Sequence, residues 1–204
     1  MPRPREFDET EALAAALELF WEKGYEATSL QDLTDRMGIR RGSLYHAFGD
    51  KHALFARALA IYQADLLHWY RQWLERPGTV REALQGLFSE VVDRASTEER
   101  PRSRGCLCVN TAIELAPHDP AVARLIERHD RSAEDLFRRA LERGRSAGEF
   151  SARLDPASTA QFLLNALAGL AVARKTDAEA DRLRDIVRLT LSVLDQPGPS
   201  LDSF

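Results

Sequence analysis

The sequence predicts an all-α protein of about nine helices, in which a small N-terminal domain with a helix-turn-helix precedes a larger helical domain. Three observations support this fold class. Apolar residues recur at spacings of three and four along most of the 204 residues, which is the period of a helix with one buried face. Capping residues and glycine or proline breaks punctuate that pattern. Almost no stretch alternates apolar and polar residues as a half-buried strand does.

The first three predicted helices lie within residues 1 to 55. The first runs from about Glu9 to Lys23. Thr28 and Gln31 match the capping box Ser/Thr-x-x-Glu/Gln, which satisfies two amides at a helix start, so we expect the second helix to begin there. Gly38 can adopt a positive φ and end that helix. Two short helices joined by such a turn are typical of a helix-turn-helix.

The third predicted helix has a polar and basic outer face, because Ile39 and Leu44 are expected to bury the other side. Residues 36 to 51 carry four cations and one acid, a charge of +3, whereas three cations and nine acids give residues 1 to 35 a charge of −6. The whole chain is −4, so this local basic face favours oriented binding of duplex DNA over nonspecific coating. The alternative is a solvated helix with incidental arginines. The outward side chains are Arg40, Arg41, Ser43, Tyr45 and His46.

The fourth predicted helix runs from about Asp50 to Leu74 and links the two domains. Asp50 is a suitable N-cap. Lys51 follows in the first turn, where a cation is unfavourable to the helix dipole. A DNA phosphate near this helix start would explain the lysine.

Five more helices are predicted from start and stop signals. Their approximate ranges are 79 to 92, Cys106 to Ala116, Asp119 to Gly144 or Ala147, Asp155 to Ala173, and Ala178 to Leu194. Pro follows Asp at 120 and 156, which is a typical first helical position. Residues 100 to 105 are expected to form a loop, and the Pro- and Gly-rich tail from 196 to 204 is expected to be flexible.

Length and composition bound the organisation. A chain of 204 residues that is 44% apolar can bury a sizeable core. We predict a DNA-binding domain at 1–55, a helical effector-binding and dimerisation domain at 56–195, and a tail at 196–204. The sequence contains no run of 18 apolar residues, so it predicts no membrane-spanning helix. The first residues lack the apolar core of a signal peptide, so a cytoplasmic location is expected.

Four motifs stand together in the first quarter of the chain. They are Phe20-Trp21-Glu22-Lys23-Gly24-Tyr25, Thr28-Ser29-Leu30, Gly42-Ser43-Leu44-Tyr45-His46-Ala47-Phe48 and Asp50-Lys51-His52-Ala53-Leu54-Phe55. Residues 10 to 58 therefore resemble the DNA-binding domain of TetR-family transcriptional regulators. The all-helical remainder and the chain length fit the same family.

The resemblance implies roles for single residues. Tyr45 and His46 match the family's phosphate- and base-contacting pair, and Arg41 and Ser43 match positions that approach the major groove. Further matches are Thr28 and Lys51, at positions that usually grip the DNA backbone. Three residues depart from the family pattern, which usually has small residues at Thr34 and Met37 and often a serine cap at Arg40. Arg40 cannot cap the helix as serine does, so it is expected to add a phosphate contact or to leave a looser helix start.

The last two predicted helices suit a dimer interface. Small residues on the first permit close approach, and pairing both helices with their symmetry mates would form a four-helix interface, the arrangement the family resemblance implies. Two recognition helices related by a two-fold axis match a palindromic DNA site. The alternative is that these helices close the protomer's own core. The interface residues predicted are Phe162, Ala166, Gly169, Leu170, Ala173, Leu183, Ile186, Thr190 and Val193.

The middle of the chain is expected to hold an effector site. Aromatic side chains from several helices, with a few polar groups to orient a ligand, are typical of a small-molecule pocket. Ordinary core packing explains each residue equally well. The residues assigned are Trp69, Tyr70, Trp73, Phe88, Cys106, Asn110, Thr111, Glu114, Phe137 and Phe162.

Cys106 and Cys108 are the only two cysteines. Residues two apart on a helix point in different directions, so a disulfide between them is disfavoured, and two ligands are too few for structural zinc. Cys106 follows two arginines, which favour a reactive thiolate. The segment from Arg104 to Leu115 also resembles a family branch that includes electrophile-responsive repressors. Lys175 is a possible neighbour, and packing of a small buried thiol is the alternative.

These observations predict a ligand-responsive transcriptional regulator, most simply a repressor released from a palindromic operator by a small molecule or by modification of Cys106. The expected partners are double-stranded DNA, a second copy of the chain and an unidentified effector; no cofactor or metal is expected. A constitutive DNA-binding protein is one alternative. A thiol enzyme using Cys106 with His118 or His129 is another, but it lacks an accompanying catalytic constellation.

Overall fold

The computed structural model describes residues 7–96, 104–176 and 179–195. These residues form nine α-helices and one 3-10 helix and contain no strand, so the all-α prediction is confirmed. The α-helices are α1 (Glu9–Lys23), α2 (Leu30–Met37), α3 (Arg41–Phe48), α4 (Lys51–Leu74), α5 (Val80–Ser96), α6 (Leu107–Glu114), α7 (Pro120–Ser146), α8 (Pro156–Lys175) and α9 (Ala180–Leu191), and the 3-10 helix is Ser192–Asp195.

Short side chains that accept backbone N–H groups define several helix starts. Asp119 Oδ1 lies 2.8 Å from the amide nitrogen of Ala121 at the start of α7. Asp155 Oδ2 lies 3.0 Å from the amide nitrogen of Ser158 in α8. Thr79 and Glu82 form a reciprocal capping box before α5, because each side chain accepts the other's backbone N–H. The starts predicted at these positions are therefore confirmed.

The predicted start of α2 is wrong by one residue. The N-cap is Ser29, whose hydroxyl accepts the Asp32 amide at 3.0 Å, while the Asp32 carboxylate accepts the Ser29 amide at 2.9 Å. Thr28 is instead fully buried and donates its hydroxyl to the Gly24 carbonyl at 2.6 Å. The Lys23 ammonium nitrogen lies 2.7 Å from Asp32 Oδ1. This ion pair, together with the hydrogen bonds from Ser29, holds the Asp32 pKa well below its usual value. Aspartate thus serves where glutamate or glutamine was expected.

Replacing Ser29 by alanine is expected to lower the free energy of unfolding by about 1 kcal/mol, the usual cost of losing a serine cap. Gln31→Ala is the control, because the Gln31 side-chain amide donates to the exposed Asp35 carboxylate and its loss should change stability less. Urea denaturation followed by circular dichroism measures both variants. If Gln31→Ala lost more stability than Ser29→Ala, the result would instead support the capping box predicted at Thr28 and Gln31.

Some predicted boundaries differ from the structure or fall outside it. The helix expected from Cys106 to Ala116 is Leu107–Glu114, so Cys106 immediately precedes α6. The last helix ends at Leu191 and continues as the 3-10 helix. Its predicted start at Ala178, most of the predicted loop from 100 to 105, and the predicted tail from 196 to 204 lie outside the described residues.

The chain divides into two compact units. Unit 1 is Met1–Asp65 with Leu107–Glu127, and unit 2 is Leu66–Cys106 with Arg128–Phe204. Helices α4 and α7 each contribute residues to both units. The domain boundary predicted after residue 55 stays a prediction.

Unit 1 is built around aromatic and leucine side chains of its first four helices. Phe20 and Phe55 are buried and meet edge to face, with ring centroids 5.0 Å apart. Leu33 and Leu44 are fully buried beside the helix-turn-helix turn. Burial of side chains of this size stabilises a core by roughly 2 kcal/mol each, which holds the short helices α2 and α3 in place.

Unit 2 has a larger apolar core formed by α4, α5, α7, α8 and α9. Phe88 and Phe137 are fully buried, and the Tyr70 ring meets the Phe137 ring edge to face at 5.3 Å. By length and composition alone, α8 would be long and apolar enough to cross a bilayer. Its Leu163 side chain is fully buried in this core, and core helices pass the same test.

Candidate functional site

Helix α3 presents a polar face because its apolar residues lie on one side. Leu44 and Phe48, four residues apart, are 0% and 4% exposed. Arg41, Tyr45 and His46 lie on the exposed side, and the Tyr45 side chain is 44% exposed. Gly38 has a φ of 66° in the left-handed region, which lets the chain turn tightly from α2 into this helix.

Arg41 and Tyr45 form a pair on that face. The Arg41 Nη2 atom lies 3.4 Å from the Tyr45 hydroxyl oxygen, and its guanidinium carbon lies 5.7 Å from the ring centroid. No carboxylate pairs with Arg41 within the part of the chain that the structure describes. Arg36, by contrast, is already paired with Glu22 at 2.8 Å. The Arg41 guanidinium therefore keeps donors for a phosphate or a guanine edge.

The other predicted DNA contacts at α3, which are Arg40, Ser43 and His46, differ in their exposure to solvent. Arg40 is the N-cap residue and is exposed, and its side chain makes no capping hydrogen bond. His46 is exposed, whereas Ser43 is half-buried. The helix start therefore has no side-chain cap, as expected from the replacement of serine by Arg40, and helix N-termini of this kind favour anions.

Lys51 is held by an aromatic ring. Its ammonium nitrogen lies 4.2 Å from the centroid of the Tyr25 ring, while Asp50 caps α4 by accepting the Ala53 amide at 2.7 Å. A cation–π contact orients the ammonium without neutralising it. Sequence reasoning missed Tyr25, although it belongs to the Gly24-Tyr25 motif.

Thr28 is the exception among the predicted DNA contacts. Its side chain is fully buried and bonded to Gly24. Its hydroxyl cannot reach a phosphate in this arrangement, so we remove the side chain from the proposed interface.

The predicted effector residues are divided between the two units. The aromatic residues and Cys106 belong to unit 2, whereas Asn110, Thr111 and Glu114 belong to unit 1. The indole N–H groups of Trp69 and Trp73 both donate to Glu90 Oε2, at 3.0 and 2.6 Å. Phe162 is 47% exposed, which suits an intermolecular contact better than a pocket wall.

The polar members of that set differ in their surroundings. The Glu114 carboxylate accepts backbone N–H groups of Tyr25 and Glu26. Thr111 is 1% exposed, and its hydroxyl finds no hydrogen-bond partner among the described residues. In unit 2, His129 is 6% exposed, and its Nδ1 has no partner among the same residues. Burial lowers the pKa of His129, which favours a neutral ring. A buried polar atom of this kind requires a partner such as a ligand or water.

The predicted dimer residues fall into an outer and an inner group. Phe162 and Gly169 are exposed on α8, and Ala166, Ala173, Ile186 and Val193 are partly buried. Leu170, Leu183 and Thr190 are at most 6% exposed within the protomer. These three belong to the protomer's own core, because the buried side of each helix carries them inward. Val172 and Leu189, 43% and 63% exposed, extend the outer group.

The two cysteines have different surroundings and are not joined in a disulfide. Cys106 is half-buried and Cys108 is buried. Gly105 has a φ of 69°, and a Cβ atom there would lie 2.8 Å from the Cγ and Cδ atoms of Lys175. The Lys175 stem therefore packs directly against Gly105, the residue before Cys106. Within the described residues, no group of three or more His, Cys, Asp and Glu side chains is arranged to hold a metal ion.

Comparison with known proteins covers both halves of the chain. Residues 12–58 match the family model for bacterial regulatory proteins of the tetR family, and residues 81–190 match the tetracyclin repressor-like C-terminal domain. YezE of Bacillus subtilis, an uncharacterized HTH-type transcriptional regulator, is 40% identical over 196 residues, covering 96% of this chain and 100% of YezE. ComR, an HTH-type transcriptional repressor of Escherichia coli, is 29% identical over 191 residues, covering 93% and 90%.

Two solved structures extend the comparison. A cysteine mutant of the regulator CifR, complexed with 26bp double-strand operator DNA, has a TM-score of 0.82 and 38% identity, covering 93% of this chain and 98% of CifR. The reduced form of Escherichia coli NemR has a TM-score of 0.74 and 22% identity, covering 89% and 93%. At that identity NemR supports the fold alone.

Proposed function

Because this chain belongs to the TetR family of bacterial regulatory proteins, we propose that it is a repressor released from a palindromic operator by an effector. It is a DNA-binding transcriptional regulator and not an enzyme, and it functions as a dimer, as its family does. The alternative of a thiol enzyme is therefore set aside. The proposed location is the cytoplasm, where the protein has access to operator DNA.

The exposed face of α3 is the observation by which we assign the DNA-binding role to particular residues. Arg41 and Tyr45 stand together on it and no carboxylate of the described chain neutralises the arginine. Arg40, the N-cap residue, and His46 add exposed donors at the same short helix. A helix of eight residues fits the major groove, and a dimer places two such helices in successive grooves about 34 Å apart. CifR, at 38% identity, was solved on operator DNA, which supports the same use of this helix.

A footprint on the DNA upstream of the protein's own gene tests this proposal. The wild-type dimer should protect a site with two-fold symmetry whose half-site centres are roughly one or more helical turns apart. Protection should weaken steeply as salt rises, since phosphate contacts release counterions. Absence of any protected site on this and on selected random duplexes would contradict the proposal.

Effector release requires that the effector prefer the form of the dimer that does not bind DNA. His129 and Thr111 each bring a buried polar atom that lacks a partner within the described residues. A ligand that hydrogen-bonds either atom would recover the cost of burying it, which is roughly 1–3 kcal/mol. These two residues are therefore better supported as effector contacts than Glu114 or Phe162.

Modification of Cys106 is the second proposed route of release. The thiol is partly exposed and directly follows Gly105, against which the Lys175 stem packs closely. It also immediately precedes α6. CifR, at 38% identity, was solved on operator DNA as a cysteine mutant.

N-ethylmaleimide is expected to release operator DNA from the wild type but not from Cys106→Ser, because the adduct adds a bulky group to the residue that immediately precedes α6. Fluorescence anisotropy of a labelled operator measures the release. Cys108→Ser is the matched control: Cys108 is only 6% exposed and should react slowly, so this variant should respond as the wild type does. Equal release from Cys106→Ser and the wild type would remove Cys106 from the mechanism.

A further inference from the structure

Glu114, the last residue of α6, holds the turn between α1 and α2. Its two carboxylate oxygens accept the backbone N–H groups of Tyr25, at 3.1 Å, and Glu26, at 2.9 Å. Hydrogen bonds to an ionised carboxylate are stronger than those between neutral groups. The two bonds join residues 88 and 89 positions apart within unit 1, so this single side chain ties the turn to a distant helix.

The absence of a side chain at Gly24 permits this approach. Gly24 has a φ of 84°, and a Cβ atom there would lie 3.0 Å from Glu114 Oε2 and 3.1 Å from Oε1. Thr28 closes the other side of the turn through its bond to the Gly24 carbonyl. Two side-chain groups, one carboxylate and one hydroxyl, thus reinforce the backbone hydrogen bonds of the turn, and neither belongs to the exposed face of α3.

The turn between α1 and α2 also supports Lys51, which is a predicted DNA contact. The Tyr25 ring packs against Phe55, with centroids 5.0 Å apart, and the ammonium of Lys51 lies 4.2 Å from the Tyr25 centroid. The position of the ring depends on the Tyr25 backbone, which Glu114 holds. A series of contacts therefore runs from the end of α6 through Tyr25 to Lys51.

A second carboxylate acts on the residue next to Lys51. Asp119 Oδ2 lies 2.6 Å from His52 Nε2, while Asp119 Oδ1 caps α7. The two carboxylates belong to the last residue of α6 and to the residue before α7, and all of these residues belong to unit 1. Asp119 therefore contacts the start of α4 directly, whereas Glu114 acts on it only through Tyr25.

We infer that Glu114 is a positioning residue for operator binding: it holds the backbone at Tyr25 and Glu26 and so fixes the ring that orients the Lys51 ammonium toward a DNA phosphate. This inference rests on the proposed function. It assigns to Glu114 a role within the DNA-binding unit in place of the effector-orienting role expected from the sequence.

A double-mutant cycle between Glu114→Gln and Lys51→Ala tests the inference. Glutamine keeps the shape of the side chain but offers one acceptor oxygen, so one of the two backbone bonds is lost. Each single variant is expected to weaken operator affinity by on the order of tenfold and to lower the salt slope by about one for each protomer's lost phosphate contact. The double variant should be no weaker than Lys51→Ala alone, because residues that act through one contact are not additive.

Glu26→Gln is the matched control, since it removes one carboxylate charge at the turn that Glu114 holds without removing either backbone bond. It should keep the wild-type salt slope. Tyr25→Phe, which retains the aromatic face, should also keep that slope, whereas Tyr25→Leu should lower it as Glu114→Gln does. The melting temperature of Glu114→Gln shows whether that variant folds. If it folds poorly, the comparison of Tyr25→Phe with Tyr25→Leu still tests the inference.

Three results would overturn the inference. Multiplicative losses in the double variant would show that Glu114 acts independently of Lys51. An unchanged salt slope in Glu114→Gln, or in Lys51→Ala, would show that no phosphate contact depends on this series. In each case the wild type still binds the operator, so the proposed function would stand; failure of the wild type to bind any operator is the separate result that would refute both.

Discussion

The Arg41→Ala/Tyr45→Ala variant is expected to bind the operator on the order of 10³-fold more weakly than the wild type. Contacts from α3 to bases or phosphates contribute roughly 1–3 kcal/mol each, and the dimer gives up four of them. Both side chains are exposed, and they contact each other across one helical turn, so their removal leaves the core of unit 1 intact. Leu44 and Phe48, which hold α3 in place, are unchanged.

Fluorescence anisotropy with the footprinted duplex measures this loss, and circular dichroism checks that the variant is folded. Arg71→Ala is the control, since Arg71 is an exposed arginine of unit 2 and its removal changes the net charge per protomer as Arg41→Ala does. It should bind nearly as the wild type does. Equal binding by the double variant and the wild type would show that α3 is not the reading helix.

The Phe162→Glu/Leu189→Glu variant is expected to be a monomer. Phe162 and Leu189 are 47% and 63% exposed in the protomer, and both belong to the two helices predicted to pair with their symmetry mates. A carboxylate in an apolar interface loses its hydration without gaining a partner, so two on each protomer oppose association. A monomer reads only one half-site, and operator affinity should fall at least 100-fold, by analogy with the loss of several contacts at once.

Light scattering coupled to size exclusion measures the association state. The mass should fall from about 46 kDa, twice the 23.0 kDa chain, to that of one chain. Ile113→Glu is the matched control, because Ile113 is 69% exposed on α6 of unit 1 and receives the same change. Monomerisation by Ile113→Glu but not by the double variant would place the interface away from α8 and α9.

The helices were largely predictable because their signals are local. Asp119 and Asp155 were recognised as caps since the carboxylate acts on amides two or three residues away. The short α3 was recognised from Gly38, Leu44 and the cluster of arginines. The start of α2 was misjudged by one residue, because Thr28 and Ser29 both suit a cap and only burial of Thr28 decides between them.

The predicted sites were less accessible to sequence reasoning, because their residues are brought together by contacts distant in sequence. Leu170, Leu183 and Thr190 share the helical spacing of an interface but face the protomer's core. Periodicity marks the apolar residues of a helix and does not say whether the same chain or a second copy covers them. For the same reason, Phe162 was assigned to both the pocket and the interface.

The sequence by itself determined the fold class and the order and approximate limits of the helices, and it predicted α3 as the reading helix, since each depends on interactions within one or two helical turns. The tertiary structure decided which polar groups have partners. Glu114 reaches the amides of Tyr25 and Glu26 and Tyr25 reaches Lys51, whereas Thr111 and His129 keep buried polar atoms without a partner among the described residues. Hydrogen bonding of buried side chains depends on atoms far apart in the chain, and so it emerges only from the packed molecule.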